Sequence, residues 1–148
     1  MITILEETTR KPITLMGQRA GVCWGGDINK EEKNYRRGLD CIKSGHHRVM
    51  EYVNVEMVID GYSARVIREW YTHIGGAPTR LQASTRYVDY KNFSYTVPPL
   101  IGQNEEALEI YRQTMDTIAK AASRLETDCG IRREDAAMLL PLGMTTRI

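Results

Sequence analysis

Apolar and polar positions follow several different periods along this chain, and each change of period marks a new element. Residues 2–5 and 13–16 (ITIL and ITLM) are short unbroken apolar runs that read as strands, with Gly17 after the second. From Asp27 to Lys30 the chemistry becomes that of a helix start. Asn29 is placed to cap, and Glu32 follows three residues later in capping-box spacing. Tyr35, Leu39 and Ile42 then recur at helical intervals as far as Gly45, so a helix is predicted over 30–44.

Between Glu51 and Ile59 the period falls to two. Val53, Val55, Met57 and Ile59 alternate with Tyr52, Asn54, Glu56 and Val58, which predicts a strand broken by Gly61. Ser63 is placed to cap a second helix carrying Val66, Ile67, Trp70 and Tyr71. His73, Gly75, Gly76 and Pro78 make 72–81 a loop. Arg86–Tyr90 and Phe93–Val97 read as extended, stopped by Pro98-Pro99. Asn104 then caps the strongest helix, where Leu108, Tyr111, Met115, Ile118, Ala122 and Leu125 trace one stripe. Glu105 and Glu106 sit at its positive end, and Gly130 closes it. A last short helix is predicted from Arg133 to Leu140. The expected fold is α+β, a mixed or antiparallel sheet with flanking helices in a single domain over 1–148.

Composition narrows the partners. At 148 residues, 42% hydrophobic and 26% charged, the chain is an ordinary globular domain. A net charge of +1 recommends neither a nucleic acid polymer nor an anionic membrane, so any anion must be held by a local cluster. No apolar run approaches a membrane span, and acids near the N-terminus argue against a signal peptide. Cys23, Cys41 and Cys129 lack CxxC spacing and suit a reducing cytoplasm. Cys23 and Cys41 are expected in apolar, structural settings. No carboxylate, histidine or cysteine cluster has metal-ligand spacing, so no metal site is expected.

The stretch Arg68-Glu69-Trp70-Tyr71-Thr72-His73, the loop after it, and Arg80 to Tyr87 gather forked donors, hydroxyls and close-approaching backbone around Gly75 and Gly76. A phosphate wants those groups. Read on composition alone, the same residues make a polar surface loop. Tyr90, Phe93 and Tyr95 read as aromatic residues of a core strand rather than a base-stacking surface.

The order helix, Thr72-His73-Ile74, loop, Ser84-Thr85-Arg86-Tyr87, extended segment and Val97-Pro98-Pro99 resembles the signature of the flavin-dependent thymidylate synthases. That family carries Arg-His-Arg at a helix end, then Ser-x-Arg. Arg19 to Trp24 is similar to its early Ala-Arg-x-x-Tyr strand. Gly45-His46 with Glu51-Tyr52 resembles its Gly-His-x-x-x-x-Glu-His segment, and Leu140-Pro141 through Thr146-Arg147 its Leu-Pro-x-x-x-x-Thr-Arg run. Thr72 and Ile74 replace both arginines of Arg-His-Arg, and nine residues separate Ile74 from Ser84, more than the family's spacing. Tyr52 stands where a histidine is usual and Gln82 where an acid is usual.

The resemblance implies reductive C5 methylation of dUMP to dTMP, with FAD as cofactor and NADPH and methylenetetrahydrofolate as co-substrates. It implies a homotetramer whose sites are shared between subunits. It places Gln82, Ala83, Ser84, Thr85 and Arg86 on the nucleotide, Arg86 at the phosphate and Ser84 near the pyrimidine. Glu69 and Thr72 would face that nucleotide across the interface, with Arg147 a further contact. Tyr52, Asn54, His73, Ile74, Arg80 and Gln82 match flavin-contacting positions. The family's pyrimidine-activating arginine would lie beyond Ile148, so no catalytic residue is assigned, and the chain reads as lacking the family's C-terminal segment. A methylase of another uridine nucleotide such as UMP, and a non-catalytic nucleotide-binding relative, stay open as alternatives.

Overall fold

Pro12 starts the first helix, not a strand. In the computed structural model, which describes residues 1–74 and 78–148, strand β1 spans Ile2–Ile4 and helix α1 spans Pro12–Cys23. Proline at the first helical position has its φ already set and lacks an N–H that would go unpaired there. The expected strand over 13–16, and the strand reading of Arg19 to Trp24, are therefore corrected. A four-residue apolar run has no period of its own. Here Met16 and Ala20 share one buried face with Ile13 packed beside them, against Cys41 and Val49.

Helix α2 spans Glu31–Lys43, close to the range predicted. Its cap differs: Lys30 holds the N-cap position without a side-chain bond, while the Asn29 N–H donates to Asp27 Oδ1 at 3.0 Å in a local turn. Gly45 ends the helix as expected. At φ +73° it lets the His46 and Gly45 N–H groups bond back to the Cys41 and Ile42 carbonyls at 2.8 and 3.2 Å. Helices α1 and α2 meet at glycines. A Cβ on Gly17 would lie 1.7 Å from the Asn34 carbonyl oxygen, and one on Gly38 2.0 Å from that of Ile13.

The strand expected from Glu51 is shorter and starts later. Residues His47–Tyr52 form a 3-10 helix, and β2 runs Met57–Ser63. The intervening backbone is pinned from outside its own ladder: Leu5 and Thr9 N–H donate to the Glu56 and Asn54 carbonyls, both at 2.9 Å. The Thr8 hydroxyl donates to the Glu56 carbonyl at 3.0 Å. Gly61 does not break β2. It sits inside the strand at φ +78°, where the register against β3 (Thr145–Arg147) shifts, and so forms a bulge.

By contact, the chain forms two compact units, residues 3–58 and residues 1–2 with 59–148. The first is built on α1, α2 and the 3-10 helix. In the second, Ser63 caps α3 (Ala64–His73), its hydroxyl accepting from the Val66 N–H at 3.2 Å as the sequence predicts. A short α4 (Pro99–Gly102) precedes α5 (Glu105–Thr127), which Asn104 caps through the Ala107 N–H at 2.9 Å. The α5 stripe packs on Phe93 and Met144 through Met115, with Tyr111 and Ile118 alongside. Tyr90 and Tyr95 join that core, as read from sequence.

Arg86–Tyr90 is not extended. The Ser84 carbonyl accepts from the Tyr87 and Val88 N–H groups at 3.2 and 2.9 Å, and the Ser84 hydroxyl from Arg86 N–H at 3.2 Å. A serine with a local donor in reach favours a turn over a ladder. Further on, Tyr95 bridges Met144 in antiparallel fashion. The predicted terminal helix is split into α6 (Arg133–Ala136) and a 3-10 turn, Ala137–Leu139. The sheet order is β1-β2-β3, with β2 and β3 antiparallel, so the α+β class with an antiparallel sheet and flanking helices holds. No helix among the described residues is long and apolar enough to cross a membrane.

Candidate functional site

Strand β3 ends in Arg147, and the segment carrying the expected nucleotide contacts runs beside it. The Ala83 N–H donates to the Arg147 carbonyl at 2.8 Å, and Gln82 Nε2 to the Thr146 hydroxyl at 3.3 Å. Two stretches far apart in sequence thus arrive on one edge. The Ser84 turn then carries Thr85 and Arg86 off that edge. Thr85 lines a small recess with Val88, Tyr90 and Lys91. Arg86 opens onto a shallow cleft of about 260 Å³ that it shares with Tyr87, Arg132, Arg133 and Glu134.

Each cation at this edge has a carboxylate. Arg86 Nε lies 2.7 Å from Glu134 Oε2, yet its side chain stays 64% exposed, so the guanidinium is held but reachable. Arg147 Nε donates to Asp60 Oδ2 at 2.9 Å. That bond holds the Asp60 carboxyl below the usual carboxylate range. Arg133 donates twice to Glu126 Oε1, at 3.3 Å from Nε and 3.0 Å from Nη2, which drives its own pKa further up. Its Nη1 reaches the Tyr87 carbonyl at 3.3 Å, tying α5 to the turn that presents Arg86.

The α3 end supplies a second group of expected contacts. Glu69 and His73 face each other one turn apart, with His73 Nε2 3.8 Å from Glu69 Oε2. The Thr72 hydroxyl donates to the Arg68 carbonyl at 3.0 Å, the usual back-bond of a helical threonine. The Ile74 N–H closes the helix on the Trp70 carbonyl at 2.9 Å. The Arg80 guanidinium lies over the Tyr71 ring, its carbon 3.5 Å from the ring centroid. Gly75 and Gly76, named for their backbone N–H groups, lie outside the described residues.

Tyr52 and Asn54 belong to the unit formed by residues 3–58. Tyr52 receives the Arg19 guanidinium over its ring at 5.6 Å. Asn54 is structurally committed: its N–H donates to the Thr9 hydroxyl at 3.0 Å and its amide to Glu56 Oε1 at 2.6 Å. Cys23, expected in an apolar setting, is exposed; Cys41 is buried, and burial pushes its thiol pKa up. Sequence reasoning named none of Asp60, Glu126, Arg132, Arg133 or Glu134 as part of the arginine edge. The run Arg132-Arg133-Glu134-Asp135 was a visible signal, since clustered charge beside a helix start has to be matched somewhere.

A family model described as thymidylate synthase complementing protein matches residues 4–148. The chain belongs to that family. Among its relatives in the thymidylate synthase complementing family, the flavin-dependent thymidylate synthase of Nitratidesulfovibrio vulgaris is 32% identical, over 83% of this chain and 52% of that protein. The one of Clostridium tetani is 26% identical, over 97% of this chain and 66% of that protein. The chain therefore spans about half to two-thirds of the length of these curated relatives.

Solved structures share the fold. Thymidylate Synthase X (ThyX) from Helicobacter pylori, solved with FAD and dUMP, superposes with a TM-score of 0.62 at 17% identity, covering 99% of this chain and 75% of that one. PolB from Streptomyces cacaoi, a UMP/dUMP methylase bound with 5-Br dUMP, gives 0.69 at 16% identity, covering 99% and 69%.

Proposed function

We propose that this chain acts as a flavin-dependent thymidylate synthase, carrying out reductive C5 methylation of dUMP to dTMP. The observation that carries the reading is the edge where Gln82 and Ala83 bond along Arg147 and Thr146, with Arg86 projecting from the Ser84 turn onto an open cleft. Forked guanidinium donors and short hydroxyls suit a phosphomonoester. On this reading Gln82 to Arg86 and Arg147 bind the nucleotide, and Glu69 and Thr72 face it from a neighbouring subunit of a homotetramer.

FAD is the cofactor of the proposal, supported by the flavin-dependent relatives and by the FAD and dUMP that the ThyX structure contains. The donors present fit it in part. His73 and Arg80 offer exposed N–H groups, Ile74 an apolar neighbour and Gln82 an amide, whereas the Asn54 amide is already taken by Glu56. Tyr52 would add an aromatic face. Bound flavin would supply the hydride that completes the methyl group, NADPH the reducing equivalents and methylenetetrahydrofolate the carbon. The residues of the chain hold, orient and shield. No protein nucleophile enters, and the proposed setting is cytoplasmic.

A second reading, methylation of UMP, has two supports. Thr72 and Ile74 stand where the family carries arginines, and the fold is shared with a UMP/dUMP methylase. Titration of dUMP and UMP into the purified protein separates the two. Arg86→Ala is expected to weaken binding of whichever nucleotide is preferred several-fold. Flavin absorbance should accompany the protein through purification. Unchanged affinity in Arg86→Ala would remove the nucleotide site from this edge, and a colourless protein that takes up no added FAD would leave a nucleotide-binding relative without flavin chemistry.

A further inference from the structure

The cleft at Arg86 already contains an anion of the protein's own. Glu134 Oε2 lies 2.7 Å from Arg86 Nε, and its other oxygen 4.0 Å from Arg132 Nη1. All three residues line the cleft with Tyr87 and Arg133. Arg133 is spent elsewhere, on Glu126 and the Tyr87 carbonyl. The cation left to meet an incoming anion is therefore Arg86, and Glu134 sits against both it and Arg132. Carboxylate and phosphate use the same forked donors, so they compete for them.

The exposures say which side of that competition yields. Arg86 and Arg132 are 64% and 83% exposed, Glu134 37%. A pair this open to water is weak and exchanges readily. We propose that Glu134 is a displaceable internal counter-ion of the phosphate site. It orients Arg86 in the free protein and turns toward Arg132 when a phosphomonoester arrives, so it lowers phosphate affinity and sets a charge threshold for ligands. The inference rests on the nucleotide reading of Arg86 and adds a residue that opposes binding.

An opposing residue gives an unusual signature, because removing it strengthens binding. Glu134→Gln keeps the side-chain shape and drops the charge, and dUMP affinity in the full chain should rise about three- to five-fold. Affinity for deoxyuridine, which has no phosphate, should not change. The gain should shrink as salt is raised, since the charges concerned are exposed. Combined with Arg86→Ala, Glu134→Gln should give no gain, the coupling expected of two residues in contact.

Isothermal titration of wild type, Glu134→Gln, Glu134→Ala and the double variant with dUMP and deoxyuridine tests this. Glu134→Ala guards against an effect peculiar to the amide. dUMP affinity lost in Arg86→Ala but unchanged or weakened in both Glu134 variants, with unfolding midpoints intact, would overturn the counter-ion and leave the nucleotide site standing. An equal gain for deoxyuridine would also overturn it, as would a gain that survives Arg86→Ala. If no variant responds to dUMP and wild type does not bind it, the nucleotide reading falls, and this inference with it.

Discussion

Arg147 and Asp60 are register partners across β2 and β3, and the guanidinium Nε donates to Asp60 Oδ2 at 2.9 Å. The bulge at Gly61 falls next to this pair, so the sheet changes register where its terminal arginine is tethered. An exposed ion pair of this kind is weak as a source of stability. Its use is positional, because it fixes which way the last cation of β3 points.

The pair makes a pH prediction. Asp60 is held below the ordinary carboxylate value chiefly by the hydrogen bond from Arg147. A depressed folded value stabilises the protein above the unfolded pKa, about 3.9, and that stabilisation is lost as pH falls through the folded value. Asp60→Asn should therefore flatten the acid side of the stability curve below about pH 4 and leave its neutral shape unchanged. Urea midpoints at stepped pH check this, and an acid limb that keeps its slope would show that the pair does not form in solution.

The α1–α2 packing makes a stronger one. Gly17 and Gly38 leave room for nothing larger, since the clashes would fall on backbone carbonyls that cannot turn aside. Gly17→Ala or Gly38→Ala should force the helices apart and cost on the order of 3 kcal/mol, although alanine is the better helix former in isolation. Chemical unfolding measures it. A neutral or stabilising result would mean that the two helices do not cross at these residues.

Arg133 spans Glu126 on α5 and the Tyr87 carbonyl in the Ser84 turn. A lysine ends in a single nitrogen and lacks the planar fork whose separate nitrogens reach the two partners here. Arg133→Lys should speed hydrogen exchange at the Tyr87 and Val88 amides several-fold while leaving the middle of α5 protected. Equal exchange in the two proteins would show that the turn stands without the clamp.

The candidate site is read from the family resemblance, since composition alone makes the same stretch a polar surface loop. The resemblance singles out Ser84, Arg86 and Arg147, and the structure brings Gln82 and Ala83 beside the strand that bears Arg147. Nothing local to Arg86 points to Glu134, and nothing local to Arg147 points to Asp60. Ion pairs between distant segments leave no period in a sequence. Which carboxylate pairs with which arginine was therefore invisible, although Glu134 itself stands in a conspicuous charged run.

The sequence by itself determined several helix boundaries where a capping side chain or a glycine lies within a turn of the end, Asn29 before α2 being the exception. Ser63 and Asn104 cap as read, Gly45 closes α2, and the α5 stripe faces a core because its spacing matches the helical period. Tertiary structure decided the rest. Residues 13–16 became helix because α2 offers a glycine-lined face to pack on, residues 53–56 were drawn to the Thr8–Thr9 segment, and Gly61 became a bulge because β3 pairs on both sides of it. A short apolar run has too little period to choose its own conformation, so it takes the one its distant partner stabilises.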